Sequence, residues 1–332
     1  MKRIIGWDVL RFFSFIAIIY FHYLYIVWYQ LTPPAAEYSY FLQIFNIFSR
    51  ALSFSGFTVL FLTAALWGLK NNLPSKRFYL FLILASVFLS YLTSDTHFEW
   101  SWDIYFLLIV GFSVLQIIKK HWLLGLIGFA LLWIPFWKFR PMANLPTWAV
   151  EIFFGRCEID QGDWPLLPWV GLIWLGYASG KFLFFRLERL QTVTQLEFFI
   201  WLPLLMVSTL GLGSYFNIRI GPGFSCDVFT QPLYVFWAHL LWFVFFMRLS
   251  LLAVIQNFLA RTVIFSWISN LMLSRKFGAA YFIHFLIIFI LSLRAEFIHA
   301  NAWAGILGFL LIIPVTELLL RLIFKHFPTR KA

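Results

Sequence analysis

Long apolar runs follow one another along nearly the whole chain, separated by short polar connections. A helix needs roughly 20 mainly apolar residues to cross a bilayer. Runs of about that length cover residues 10–28, 51–69, 78–93, 102–118, 122–137, 165–185, 196–212, 233–247, 277–293 and 302–324. An interfacial piece at 41–48 precedes the second run. Residues 251–273 are apolar but broken by Gln256, Asn257, Arg261 and Asn270, and read as interfacial or as one more span. The two-residue alternation of barrel strands is absent. The pattern predicts an all-α polytopic integral membrane protein of about ten transmembrane helices. No repeat or linker divides it, so residues 1–332 read as one integral membrane domain.

The connections orient these helices. With the N-terminus in the cytoplasm, Arg50, Lys138, Arg140, Arg156, Arg219 and Arg294 fall outside and Arg11 lies within the first span. The other 18 of the 25 Lys and Arg fall inside. That bias sets topology in membrane proteins, and it places both termini in the cytoplasm and the protein in the inner (plasma) membrane. The start of the chain reads as a retained helix. Asp8 and Arg11 interrupt the approach to the apolar run, and no small-residue cleavage site follows.

Composition sharpens this. The chain is 62% hydrophobic and 12% charged, whereas soluble domains are about a quarter charged. A cytosolic enzyme, a nucleic-acid-binding module and a disordered chain are excluded, and membrane lipids are the expected solvent. The net charge of +11 therefore reads as cytoplasmic bias, since no basic cluster interleaves with a stacking platform. Of the 22% aromatic residues, Trp and Tyr fit interfacial belts and Phe fits packing and lipid contact.

Ionisable side chains inside spans are costly and face a polar interior. The first helix carries Arg11 and His22, eleven residues apart. At 3.6 residues per turn both lie on one face, separated by roughly 16 Å along the axis. An anionic group docked on Arg11 would leave a reactive end near His22. The structural alternative is an interfacial arginine snorkelling to headgroups and a histidine bonded to a neighbouring helix.

These residues resemble the membrane acyltransferase-3 superfamily. Asp8-Val-Leu-Arg11, ten residues and His22 are similar to its Arg-x10-His motif. Phe54-Ser55-Gly56-Phe57 resembles its second-helix Ser-Gly turn, and Tyr281-Phe282-Ile283-His284 its late Tyr-x-x-His. The resemblance implies acyl transfer, often of acetyl, from acyl-CoA to a carbohydrate or glycolipid acceptor. Arg11 would help hold acyl-CoA, and His22 would be catalytic, either as a base toward the attacking hydroxyl or as the acyl acceptor. The family's Arg-x-x-Arg at the start of the third helix is incomplete here. Arg77 supplies one arginine, Leu80 stands at the other position, and Lys76 offers a substitute point charge.

Further candidates are weaker. Tyr281 and His284 share a helix face one turn apart. Trp148 and Glu151, in a long outer connection with Trp164, suit a sugar platform. His239 and the outer group Asp95, His97, Glu99 and Asp103 read first as structural or solvated. Cys157 and Cys226 occupy the two long outer connections, either bridged or as free thiols. No H-E-x-x-H or CxxC metal pattern and no G-x-S-x-G elbow occurs. Pro165 and Pro168 open a helix whose Gly171, Gly176 and Gly180 suit close packing. The Pro-Trp stretch there resembles heparan-type N-acetyltransferase-like enzymes. A proton-coupled secondary transporter is the other class that intramembrane His and Arg would serve.

Overall fold

The computed structural model describes residues 4–23, 27, 55–93, 104–132, 166–186, 191–192, 197, 199–208, 233–300 and 302–326. Every regular element among them is helical. In chain order these are α1 (Ile5–Tyr23), α2 (Ser55–Leu69), α3 (Lys76–Thr93), α4 (Ile104–Ile117), α5 (His121–Leu131), α6 (Leu166–Arg186), α7 (Leu233–Leu249), α8 (Ala253–Arg261), α9 (Val263–Asn270), α10 (Met272–Arg275), α11 (Phe277–Ser292), α12 (Ala295–Ala300) and α13 (Ala302–His326). A further helical stretch is Phe199–Ser208. Each of the ten apolar runs thus carries a helix. The first begins earlier than the run, at Ile5, and takes in Asp8.

Among the described residues one helix, Trp303–Lys325, is long and apolar enough to cross a membrane by itself. Leu240–Leu249 and Ala253–Arg261 meet that test together but bend by 74° at their break. The other apolar helices are shorter, including Ile104–Ile117, His121–Leu131 and Phe277–Ser292. Contacts divide the chain into two units, one over residues 60–245 and one over 2–59 with 246–332.

In the first unit α6 is the central packing surface. A Cβ on Gly176 or Gly180 would run into the backbone carbonyl of Phe61 or Ala65 on α2. Gly128 on α5 meets Gly171 in the same way. The glycines thus allow backbone-to-backbone approach, as their spacing predicted. Trp174 Nε1 donates to the Gly111 carbonyl at 3.1 Å, fixing α6 to α4. After α2, Asn71 takes a left-handed φ of 51°. Asn71 N donates to Gly68 O and Asn72 N to Trp67 O, the pairing of a Schellman ending. Ser75 then caps α3 by accepting from Phe78 N at 3.4 Å.

In the second unit α1 lies among the C-terminal helices. Its first amide, Ile5 N, donates to Gln256 Oε1 at 2.9 Å, and Gln256 Nε2 donates to the Ser250 carbonyl. Gln256, one of the four polar residues that break the 251–273 run, is therefore a helix cap. That run forms α8, α9 and α10, with Val254, Phe258, Val263, Ile264 and Trp267 exposed. At the other end of α1, Tyr23 Oη donates to the Gly305 carbonyl at 2.8 Å, and Tyr20 and Tyr23 both pack on Phe309. The end of α1 thus meets the start of α13, so these two helices run antiparallel.

Candidate functional site

Arg11, Phe15 and His22 form one stripe of α1, being four and then seven residues apart. Phe277, Tyr281 and His284 form the facing stripe of α11. Phe15 meets Phe277 and His284 edge to face at 5.4 and 5.0 Å between ring centroids. His22 meets Tyr281 at 5.5 Å and Phe285 at 5.4 Å. Arg11 faces the start of α11 and His22 its middle, so the two helices run in the same direction.

Within this seam the two histidines touch. His22 Nδ1 lies 3.0 Å from His284 Nε2, and the two rings are within 8° of parallel. His284 is buried, with Nδ1 3.3 Å from the Ala280 carbonyl one turn earlier. His22 is partly exposed. A nitrogen–nitrogen contact of this length needs a proton on one atom and a lone pair on the other. At most one of the two rings can therefore be cationic while it persists.

Arg11 is 6% exposed. Asp8 Oδ1 lies 3.8 Å from its guanidinium, close enough to neutralise it but too far for a hydrogen bond. Its Cζ sits 5.9 Å from the Phe277 ring centroid. Arg11 Nε is buried without a hydrogen-bond partner among the described residues. The sequence expectation treats Arg11 alone as an anion receptor; the fold gives it a resident counter-ion and an unused donor.

Lys76 and Arg77 belong to the first unit, exposed in the first turn of α3. Gln116 Nε2 reaches the Pro74 carbonyl at 3.4 Å, which brings the end of α4 beside the α2–α3 turn. Exposed Lys70, Lys119 and Lys120 therefore share the end of this unit that holds Lys76 and Arg77. Leu80 is exposed as well. At the same end His121 Nε2 donates to the Leu115 carbonyl at 3.0 Å, and Lys181 Nζ lies 3.3 Å from Nδ1. Burial, and then the charges of Lys181 and Lys119, push the His121 pKa below its ordinary 6.5.

Three partners have no counterpart in the sequence reading: Asp8 for Arg11, the Ala280 carbonyl for His284, and Glu317. Glu317, within the tenth apolar run, is 8% exposed. Its oxygens accept Met272 N at 3.1 Å and Leu273 N at 3.0 Å, and Arg321 Nε at 2.7 Å. The only local signal for it is the i,i+4 spacing to Arg321. Trp148, Glu151, Trp164, Cys157, Cys226, Asp95, His97, Glu99, Asp103 and the side chain of His239 lie outside the described residues. Among the described residues no group of three His, Cys, Asp or Glu is placed to hold a metal ion.

No protein-family model, curated protein or solved structure matches the chain.

Proposed function

We propose that the chain is a membrane acyltransferase of about ten spans with both termini cytoplasmic. It moves an acyl group, in the first instance acetyl, from acyl-CoA to a hydroxyl of a surface polysaccharide precursor or glycolipid. The observation that carries this reading is the seam of α1 and α11. There a partly exposed histidine, a second histidine 3.0 Å away and a buried arginine occupy one line. An imidazole suits proton removal from a hydroxyl near neutral pH. The unused Nε donor of Arg11 suits an anionic group of the donor. Lys76 and Arg77, with the other lysines at their end of the first unit, suit phosphate groups.

The surface supports a lipid environment. On α3, Leu80, Ile83, Leu84, Val87, Phe88 and Tyr91 are exposed together, and α13 exposes a similar apolar flank. Contiguous apolar surface of that extent needs lipid or a partner. The parallel run of α1 with α11 and its antiparallel run with α13 fit the alternation inferred from charge. The transporter alternative gains nothing from Glu317, whose oxygens are held by two amides and an arginine rather than left to carry a proton.

The deciding experiment replaces His22 with Ala, verifies insertion, and follows acetylation of surface glycans by mass spectrometry. Loss of acetyl groups is expected. Retained acetylation overturns the assignment.

A further inference from the structure

We infer that His284 is a positioning residue that fixes the tautomer of His22 and so turns its Nε2 into the base. The inference rests on the acyltransfer reading and deepens it. A backbone carbonyl can only accept, so the His284 Nδ1 facing Ala280 O carries a proton. A neutral imidazole has one N–H, which leaves His284 Nε2 with a lone pair. That lone pair lies 3.0 Å from His22 Nδ1, which must therefore be the protonated nitrogen of His22. By elimination His22 Nε2 is bare. The order carbonyl, buried imidazole, partly exposed imidazole sets which nitrogen is basic through the bond the other one makes. Phe15, Tyr281 and Phe285 hold the two rings from their edges, so neither turns freely.

The step this permits is balanced. The acceptor hydroxyl gives its proton to His22 Nε2 while its oxygen bonds to the thioester carbonyl carbon. Collapse of the adduct breaks the carbon–sulfur bond, and the Nε2 proton passes to the departing thiolate. An ester and a free thiol result, and His22 is neutral again. Throughout, the His22 Nδ1 proton stays on its bond to His284 Nε2, which stabilises the transient imidazolium. Without His284 the Nδ1 proton has no acceptor, and the tautomer with Nε2 protonated, inert as a base, gains population.

The test uses the full chain in nanodiscs, labelled with 15N-histidine and assigned by loss of signals in His22→Asn and His284→Asn variants. Proton–nitrogen couplings read which ring nitrogen carries hydrogen. Protonated Nδ1 at both His22 and His284 is expected in the wild type; protonated Nε2 at His22 overturns the inference, whatever the variants do. In His284→Phe the His22 proton should move to Nε2 in a sizeable fraction of molecules. Acetyl transfer from acetyl-CoA should then fall about 10²–10⁴-fold in kcat, by analogy with losing the orienting partner of a catalytic histidine, with little change in KM. His284→Gln, which keeps an acceptor on the seam, should recover part of the rate. Wild-type kcat in a folded His284→Phe variant overturns the inference. The tautomer measurement needs no turnover, so it separates failure of this inference from failure of the acyltransfer reading, which His22→Ala decides.

Discussion

Asp8 holds its carboxylate 3.8 Å from the guanidinium of Arg11, three residues along the same helix, with both side chains nearly sealed from solvent. Removing one member of a buried pair leaves an uncompensated charge, which costs about 3–5 kcal/mol. Asp8→Asn is therefore expected to lower stability by that order in detergent-based unfolding. Arg11→Gln should do the same, and the double variant should lose less than the sum of the two. Strictly additive losses would show that the pair does not act as one.

Glu317 terminates the N-terminal end of α10 by accepting the amides of Met272 and Leu273. Hydrogen bonds to a charged acceptor contribute about 1.5–3 kcal/mol. Glu317→Gln keeps the shape and removes the charge, so destabilisation of that order is expected. Hydrogen exchange locates it: the amides of Met272 and Leu273 should exchange faster while those of α6 do not change.

Gly176 and Gly180 admit α2 to within backbone contact of α6. Because the atoms in the way are main-chain carbonyls, no side-chain rotation relieves a clash. Gly176→Val should force the helices apart, an overpacking effect of typically about 1–3 kcal/mol. Retention of the folded peak after heating, read by size exclusion, checks it. Gly308, whose Cβ would meet only the Tyr23 hydroxyl at 3.4 Å and leucine side-chain atoms farther off, should tolerate Ala far better.

His121 gives the first unit a pH dependence of definite sign. Its pKa is depressed on folding, chiefly by burial. Below the ordinary 6.5 the unfolded chain binds the proton more readily than the folded one. Stability is therefore full above that value and falls as pH drops toward the depressed folded pKa. Protonation also sets a cation against Lys181 Nζ, 3.3 Å away. Melting curves between about pH 7 and pH 5 should show a steeper decline for the wild type than for His121→Gln. Equal slopes would remove His121 as the cause.

Local pattern carried much of the fold, because the length of an apolar run and the stripe on a helix are set by the chain itself. Helices lie on all ten runs, and Arg11 and His22 fall on one face as their spacing requires. Trimming at an ionisable residue is what displaced the start of α1: Asp8 looks like the end of an apolar window until its pairing with Arg11 is seen. Gln256 looked like a break because the amide it caps is 251 residues away. His284 could be singled out by its Tyr281 neighbour, but its contact with His22, 262 residues distant, is a property of packing. Hydrophobic periodicity states which side of a helix is covered and leaves open which helix covers it.

The cap of Ile5 by Gln256 and the seating of α1 against α11 and α13 have a consequence for biosynthesis. α1 is the first of these helices to leave the ribosome, yet α11, which sets Phe277 beside Arg11 and completes the histidine pair, follows only after α2–α10. At about 5–20 residues per second, His22 waits roughly 13–52 s for His284. On the proposed membrane reading, α1 during that interval carries an arginine and a histidine without their α11 neighbours, which favours retention by insertion factors over release into lipid. A chain cut short before α11 contains the proposed base but not the partner that orients it. Assembly of the proposed reactive centre thereby waits for synthesis of α11.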